Sequence, residues 1–351
     1  MVIAKNRDLT IDAIKGMGIV LMVYLHAGGG FSEFVNLFHM AVFFIASGYL
    51  WNRNKAADFS GFRKYAAGKL KTLWLPFVLF NGILLLLNNV LVAAGIYETA
   101  LNLRQTALSF AKVLVFSYRT QLGTPTWFLA VMFFVTLIWA LLELLFTKTG
   151  HRSLMMWICF AVFAAAAQVV SITGIRLPAN AHSCFMAFMC YEAGMFIREF
   201  QLMQKLTGWL RYAALAGSFA VLTGLSFFTH ISFINGELTN AALFVAASLC
   251  GWVFLWATAS VLFQPIKKAV AFLGQRSMWI LLYHLLFFKA VTWIYLLVTK
   301  GDMLRLTEFP SIKDGALWII YLIAGVLFPV LLSVLWKSFV RLFRRNKNGK
   351  H

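Results

Sequence analysis

Stretches of about twenty predominantly apolar residues recur along this chain, separated by short polar or basic connections. A run of that length, coiled as an α-helix, matches the roughly 30 Å hydrocarbon thickness of a bilayer. A transmembrane β-barrel would instead alternate polarity over segments of about ten residues. Only 12% of the residues are charged and 61% are hydrophobic, with mean hydropathy +0.80. Soluble domains carry about a quarter charged residues, so no soluble class fits. The expected fold is all-α, a polytopic transmembrane helix bundle.

The pattern predicts ten spans, at about 9–27, 34–52, 72–95, 126–146, 153–173, 182–198, 209–229, 240–262, 278–298 and 316–338. Residues 104–118 are apolar but short and carry Arg104 and Lys112, which reads as an interfacial or re-entrant helix. An even number of spans puts both termini on one side. Of the 31 Lys and Arg residues, 22 then fall on the side of the termini and 7 on the other, while Lys15 and Lys289 lie within spans. The positive-inside rule makes the first side cytoplasmic. The formal charge of +19 is therefore topological and does not indicate nucleic-acid binding.

One transmembrane domain is expected over 1–343, followed by a basic cytoplasmic tail at 344–351. The N-terminus is expected to stay as the first helix, because Asp8, Asp12 and Lys15 interrupt what would be the core of a signal peptide. Cys159, Cys184, Cys190 and Cys250 lie in apolar runs without metal-ligand spacing, which gives neither a disulfide framework nor a metal site.

Asp12, Lys15 and His26 put three costly residues in the first span, since a charge at the centre of a span costs roughly 2.5 to 3.5 kcal/mol on insertion scales. Positions 12, 15, 19, 22 and 26 step by three and four and share one helical stripe, which would face the bundle interior. Lys15 and His26 would stand about 16 Å apart along it. Gly28, Gly29 and Gly30 follow, suited to a tight turn or a close ligand approach.

His39 enters the second span after a short outer loop, so both imidazoles belong to the outer leaflet. One of them can act as a base while the other orients or binds. The structural alternatives are an interfacial His26, a packing His39, and an Asp12–Lys15 pair at i, i+3. Arg63, Lys64, Lys69 and Lys71 occupy the loop before Pro76, where they can hold phosphates or simply meet lipid headgroups. Trp127 is either an interfacial belt residue or a stacking wall for a sugar or acyl group. Glu143, His182, Glu192 and His284 are further polar residues in or near spans. Glu192 and His284 are the most deeply set, and either can be a plain interhelical hydrogen bond.

This constellation resembles the integral-membrane acyltransferases of family type 3. The resemblance runs nearly end to end. It rests on Asp12, Lys15 and His26; on Phe38-His39-Met40 followed by Phe43-Phe44-Ile45-Ala46-Ser47-Gly48-Tyr49; on the basic run ending at Pro76; on Trp127-Phe128-Leu129; and on Leu273-Gly274 leading through Ser277 to Tyr283-His284. Lys rather than Arg at position 15 resembles the subgroup of fucose 4-O-acetylases.

The resemblance implies an O-acyltransferase of a bacterial cytoplasmic membrane. It would take acetyl-CoA or another acyl-CoA as a donor substrate, with no permanently bound cofactor, and acylate a hydroxyl of an envelope glycan or lipid-linked sugar. It assigns His26 as general base with Lys15 and Asp12 in the catalytic set. His39, Ser47, Trp127, Glu192 and His284 would lie toward substrate, and Arg63, Lys64, Lys69 and Lys71 would take the CoA phosphates. Direct transfer and a covalent acyl-histidine both remain open. Other expected partners are membrane lipids, with no nucleic acid. A proton-coupled transporter or flippase using His26, Asp12 and Glu192 as a relay is the competing reading, but it lacks the internal repeat common in such proteins. A non-catalytic scaffold would leave the helix-one stripe without a role.

Overall fold

The computed structural model describes residues 8–348, without the side chains of 147–149 and 342–348. Lys5, Arg7, Lys148 and the basic side chains of the 344–351 tail lie outside the described set. In chain order the helices are α1 Leu9–His26, α2 Ser32–Asn36, α3 Ala41–Tyr49, α4 Phe59–Lys69, α5 Leu75–Leu86, α6 Asn88–Ala93, α7 Leu103–Leu114 and α8 Trp127–Thr149. They continue as α9 Arg152–Thr173, α10 Ala181–Glu199, α11 Leu210–Leu225, α12 Ala241–Val261, α13 Gln264–Gly274, α14 Ser277–Thr299 and α15 Leu317–Asn348. The described strands are a two-residue antiparallel pair, Ile231–Ser232 with Glu237–Leu238. The all-α membrane architecture is therefore as expected.

Seven helical segments are long and apolar enough to cross a bilayer: Leu9–His26, Phe59–Leu86, Thr124–Phe146, Arg152–Thr173, Ala241–Val261, Ser277–Thr299 and Leu317–Arg341. Two expected segments take other forms. The stretch 34–52 is not one helix, because a turn over 37–40 separates α2 from α3. The ring of His39 lies 3.0 Å from the Val35 carbonyl there, a local side-chain bond of the kind that competes with helix continuation.

The basic stretch before Pro76 is not a loop. Asp58 accepts a hydrogen bond from the Gly61 amide and starts α4, which passes through a wider turn at Leu70–Trp74 into α5. Pro76, lacking an N–H, sits in the first turn of α5, next to that widening. The helix thus starts at Phe59 rather than 72, and it stops at Leu86. Residues 104–118 hold the 12-residue α7, opened by a reciprocal Asn102–Gln105 cap. At about 18 Å it is too short to span.

The chain forms two compact units. The first comprises the described parts of Met1–Gly30, Val90–Glu98 and Gln264–His351; the second comprises Phe31–Asn89 and Thr99–Phe263. In the first, α1 packs on α13, α14 and α15. Backbone meets backbone at two glycines: a Cβ on Gly274 would stand 1.8 Å from the Asp12 carbonyl oxygen, and one on Gly16 would stand 2.0 Å from that of Val270. In the second unit α10 is the central element, packed on α3, α8 and α9. Gly48 and Gly194 permit the same close approach between α3 and α10, where added Cβ atoms would meet the Tyr191 and Ile45 carbonyls.

Candidate active site

The first unit brings together two histidines that are 258 residues apart in sequence. His26 Nδ1 lies 2.8 Å from His284 Nε2. The ring planes differ by 12° and the centroids are 5.0 Å apart. Nearly all of that separation runs along the line between the nitrogens, so the rings meet edge to edge, as an N–H···N bond requires.

The surrounding acceptors decide which nitrogen carries the proton. His284 Nδ1 faces the carbonyls of Ile280 and Leu281, at 2.9 and 3.1 Å. Carbonyls only accept, so His284 Nδ1 is the donor. In the neutral ring its Nε2 is then an acceptor, and His26 Nδ1 donates to it. The lone pair of His26 is left on Nε2. A neutral imidazole with its lone pair held in place has the form that general-base chemistry requires.

Each ring is positioned by its own element. His26 is the last residue of α1, which ends where Gly28 takes φ +88° and the Gly28 and Gly29 amides return to the Leu25 and Tyr24 carbonyls. Helix ends leave carbonyls without internal partners, and Ser311 Oγ donates to the carbonyl of His26 at 3.0 Å. His284 is fully buried in α14, against the edge of Phe288, whose ring closes on Gly325 of α15.

The buried Lys289 ammonium, one turn beyond His284, donates to the carbonyls of Leu306 and Glu308 at 2.7 and 2.5 Å. It ties the segment after α14 back onto the helix, and that segment carries Ser311. Asp12 accepts from Gln275 Nε2 at 3.0 Å, beside the α1–α13 glycine contact. Lys15 lies three residues farther along α1, half-buried. Because α1 is unbroken from Leu9 to His26, Lys15 and His26 are separated by about 16 Å of helix rise. The two side chains therefore leave α1 about three turns apart.

A model of the acyltransferase domain family, type 3, matches residues 8–335. The chain belongs to acyltransferase family 3. Neither the curated proteins nor the solved structures yield a match. Membership makes the protein a multi-pass membrane acyltransferase, acting on groups other than aminoacyl, and the matched region runs through both compact units.

The other residues named from the sequence lie in the second unit of this acyltransferase. His39 is in the turn before α3, and Ser47 is half-buried in α3. Trp127 is buried at the start of α8, one face of its indole lying on Phe233. His182 accepts from the Leu177 amide through Nδ1 and donates through Nε2 to the Ile234 carbonyl, a structural tie. Glu192 is fully buried in α10, and neither carboxyl oxygen has a hydrogen-bond partner among the described residues.

Arg63, Lys64 and Lys71 are exposed along the helix that begins at Phe59, and the Lys69 ammonium lies 5.1 Å from the centre of the Tyr65 ring. Ser311 and Lys289, which brace the surroundings of the histidine pair, and Gln275, the partner of Asp12, escaped the sequence reading. Lys289 alone offered a signal, as a cation inside a span.

Proposed function

We propose that this acyltransferase moves an acyl group, an acetyl group first among the candidates, from an acyl-CoA in the cytoplasm to a hydroxyl of an envelope glycan or lipid-linked sugar. Its place would be a bacterial cytoplasmic membrane. The observation that carries the proposal is the His26–His284 pair, with its single directed lone pair. In the reaction His26 Nε2 takes the hydroxyl proton as the acceptor oxygen bonds to the thioester carbonyl carbon. The tetrahedral oxyanion collapses, the C–S bond breaks, and the thiolate leaves with the proton returned from His26.

His284 changes role in this reading. It stops being a substrate contact and becomes the residue that orients the base, holding the Nδ1 proton and sharing the positive charge while Nε2 is protonated. A positioned general base is worth typically 10² to 10⁴-fold. Lys15, some 16 Å away along α1, serves the donor. Asp12, fixed by Gln275, supports the α1–α13 contact beside it.

The test is transfer of labelled acetyl from acetyl-CoA to envelope glycans by the purified protein. Wild type should label glycan, and His26→Ala should lose at least a hundredfold of that rate. Undiminished transfer by His26→Ala would remove the base from its role.

A further inference from the structure

The second unit has an open cavity of about 330 Å³ lined by Arg53, Asn54, Arg152, Arg198 and Glu199 together with Gly48, Trp51 and Asn52. Three guanidiniums around one carboxylate are unusual in a chain with so few charges. Their arrangement is specific. Arg152 is forked onto the fully buried Glu143 at 2.6 and 3.2 Å, and Trp51 Nε1 donates to the same carboxylate at 3.3 Å. This fixes the direction of the guanidinium, whose Nη1 reaches Glu199 at 3.4 Å.

Arg53 donates to Glu199 from the other side at 3.1 Å. Arg198 donates only to the carbonyls of Tyr49 and Trp51, at 3.2 and 2.6 Å, and has no carboxylate partner among the described residues. Glu143 neutralises Arg152 and Glu199 neutralises one further arginine, so the cavity keeps a net positive charge. Arg53, Arg152 and Arg198 all come from connections assigned to the cytoplasmic side by the charge bias.

We infer that Arg53, Arg152 and Arg198 form a binding site for the phosphate groups of the nucleotide-bearing acyl donor, with Glu199 bridging Arg53 and Arg152 until the ligand displaces it. Guanidinium forks suit phosphate oxygens, and one of them is preorganised by a buried carboxylate. Glu199, 44% exposed and bridging two arginines, occupies the place an anionic oxygen would take. Arg63, Lys64 and Lys71, by contrast, are exposed along a helix and are not among the residues that line this cavity. The inference rests on the proposal that the donor is an acyl-CoA.

The experiment measures calorimetric binding of inorganic pyrophosphate, CoA and pantetheine to the full-length protein in detergent. Arg198→Gln and Arg53→Gln should each weaken pyrophosphate and CoA about tenfold or more, and leave pantetheine, which has no phosphate, unaffected. Glu199→Gln should tighten pyrophosphate several-fold, whereas a merely structural ion-pair network would lower thermal stability in all three variants and leave pyrophosphate binding unchanged. CoA bound equally well by wild type and both arginine variants overturns the site and leaves the donor proposal standing. Pyrophosphate bound through the arginines with no CoA binding overturns the donor proposal instead. Pyrophosphate binding lost in phosphatidylglycerol nanodiscs, with CoA unable to restore competition, assigns the cavity to lipid headgroups and overturns the inference.

Discussion

Replacing His284 separates a catalytic pair from two packed rings. His284→Phe fills the same buried space but offers no acceptor, so the Nδ1–H of His26 loses its partner 2.8 Å away. An orphaned donor costs about 1 to 3 kcal/mol, and the His26 tautomer is no longer fixed. At 1.36 kcal/mol per tenfold in rate, kcat should fall by roughly 10- to 100-fold with KM little changed. His284→Gln can restore an amide oxygen near the Nε2 position and should recover part of the loss.

The assay is steady-state acetyl transfer by His26→Ala, His284→Phe, His284→Gln and the His26→Ala, His284→Phe double variant. Because His284 acts only through His26, the double variant should be no slower than His26→Ala alone. Equal activity of the Phe and Gln variants, or multiplicative losses in the double variant, would refute the orienting role.

Gly274→Val would drive side-chain atoms into the Asp12 carbonyl, where even a Cβ would stand at 1.8 Å. Overpacking of this kind costs typically 1 to 3 kcal/mol or more, so a clear fall in detergent melting temperature is expected relative to Gly217→Val, where an added Cβ has nothing within 4 Å. In the segment after α14, hydrogen bonds from Arg305 hold the Asp314 carboxyl below its ordinary range. A depressed carboxylate contributes its stability above the unfolded value, near 4, and loses it as pH falls through the lower folded value. Hydrogen-exchange protection around 302–316, taken relative to the intrinsic rate at each pH, should therefore fall below about pH 4 in wild type and show a weaker acid response in Asp314→Asn.

The membrane class and most helix positions were legible because apolar length is a one-dimensional property. What failed to read was where a helix starts or bends. The basic residues from Arg63 to Lys71 look like a loop by composition, yet Asp58 caps them into the helix that continues through α5. The stretch 34–52 looks like one span, yet the turn at 37–40 divides it. In the candidate site, His26 stood out through its spacing from Asp12 and Lys15. The partnership with His284 did not, because no periodicity relates residues 258 positions apart. Arg152 was hidden for a different reason: as one of many cytoplasmic cations it read as topology, and only its fork onto Glu143 marks it as placed.

Cost alone flags every ionisable group in an apolar sequence, but it does not distinguish those that build the fold from those that act. The distinction lies in how much hydrogen-bonding capacity is already used. Lys289 is directed at two carbonyls, Asp12 takes the Gln275 amide, and Glu143 takes both Arg152 and Trp51, which explains their presence through structure. His26 differs: its Nδ1 is engaged, and the engagement leaves Nε2 with a lone pair in a fixed direction. Glu192 differs as well, with two buried oxygens unmatched by any donor among the described residues. Buried polar groups are normally satisfied, so an unmatched one calls for a reason. Unused hydrogen-bonding capacity therefore singles out Glu192 in the second unit as it does His26 in the first, as the ionisable residues whose presence the described hydrogen bonds leave unexplained.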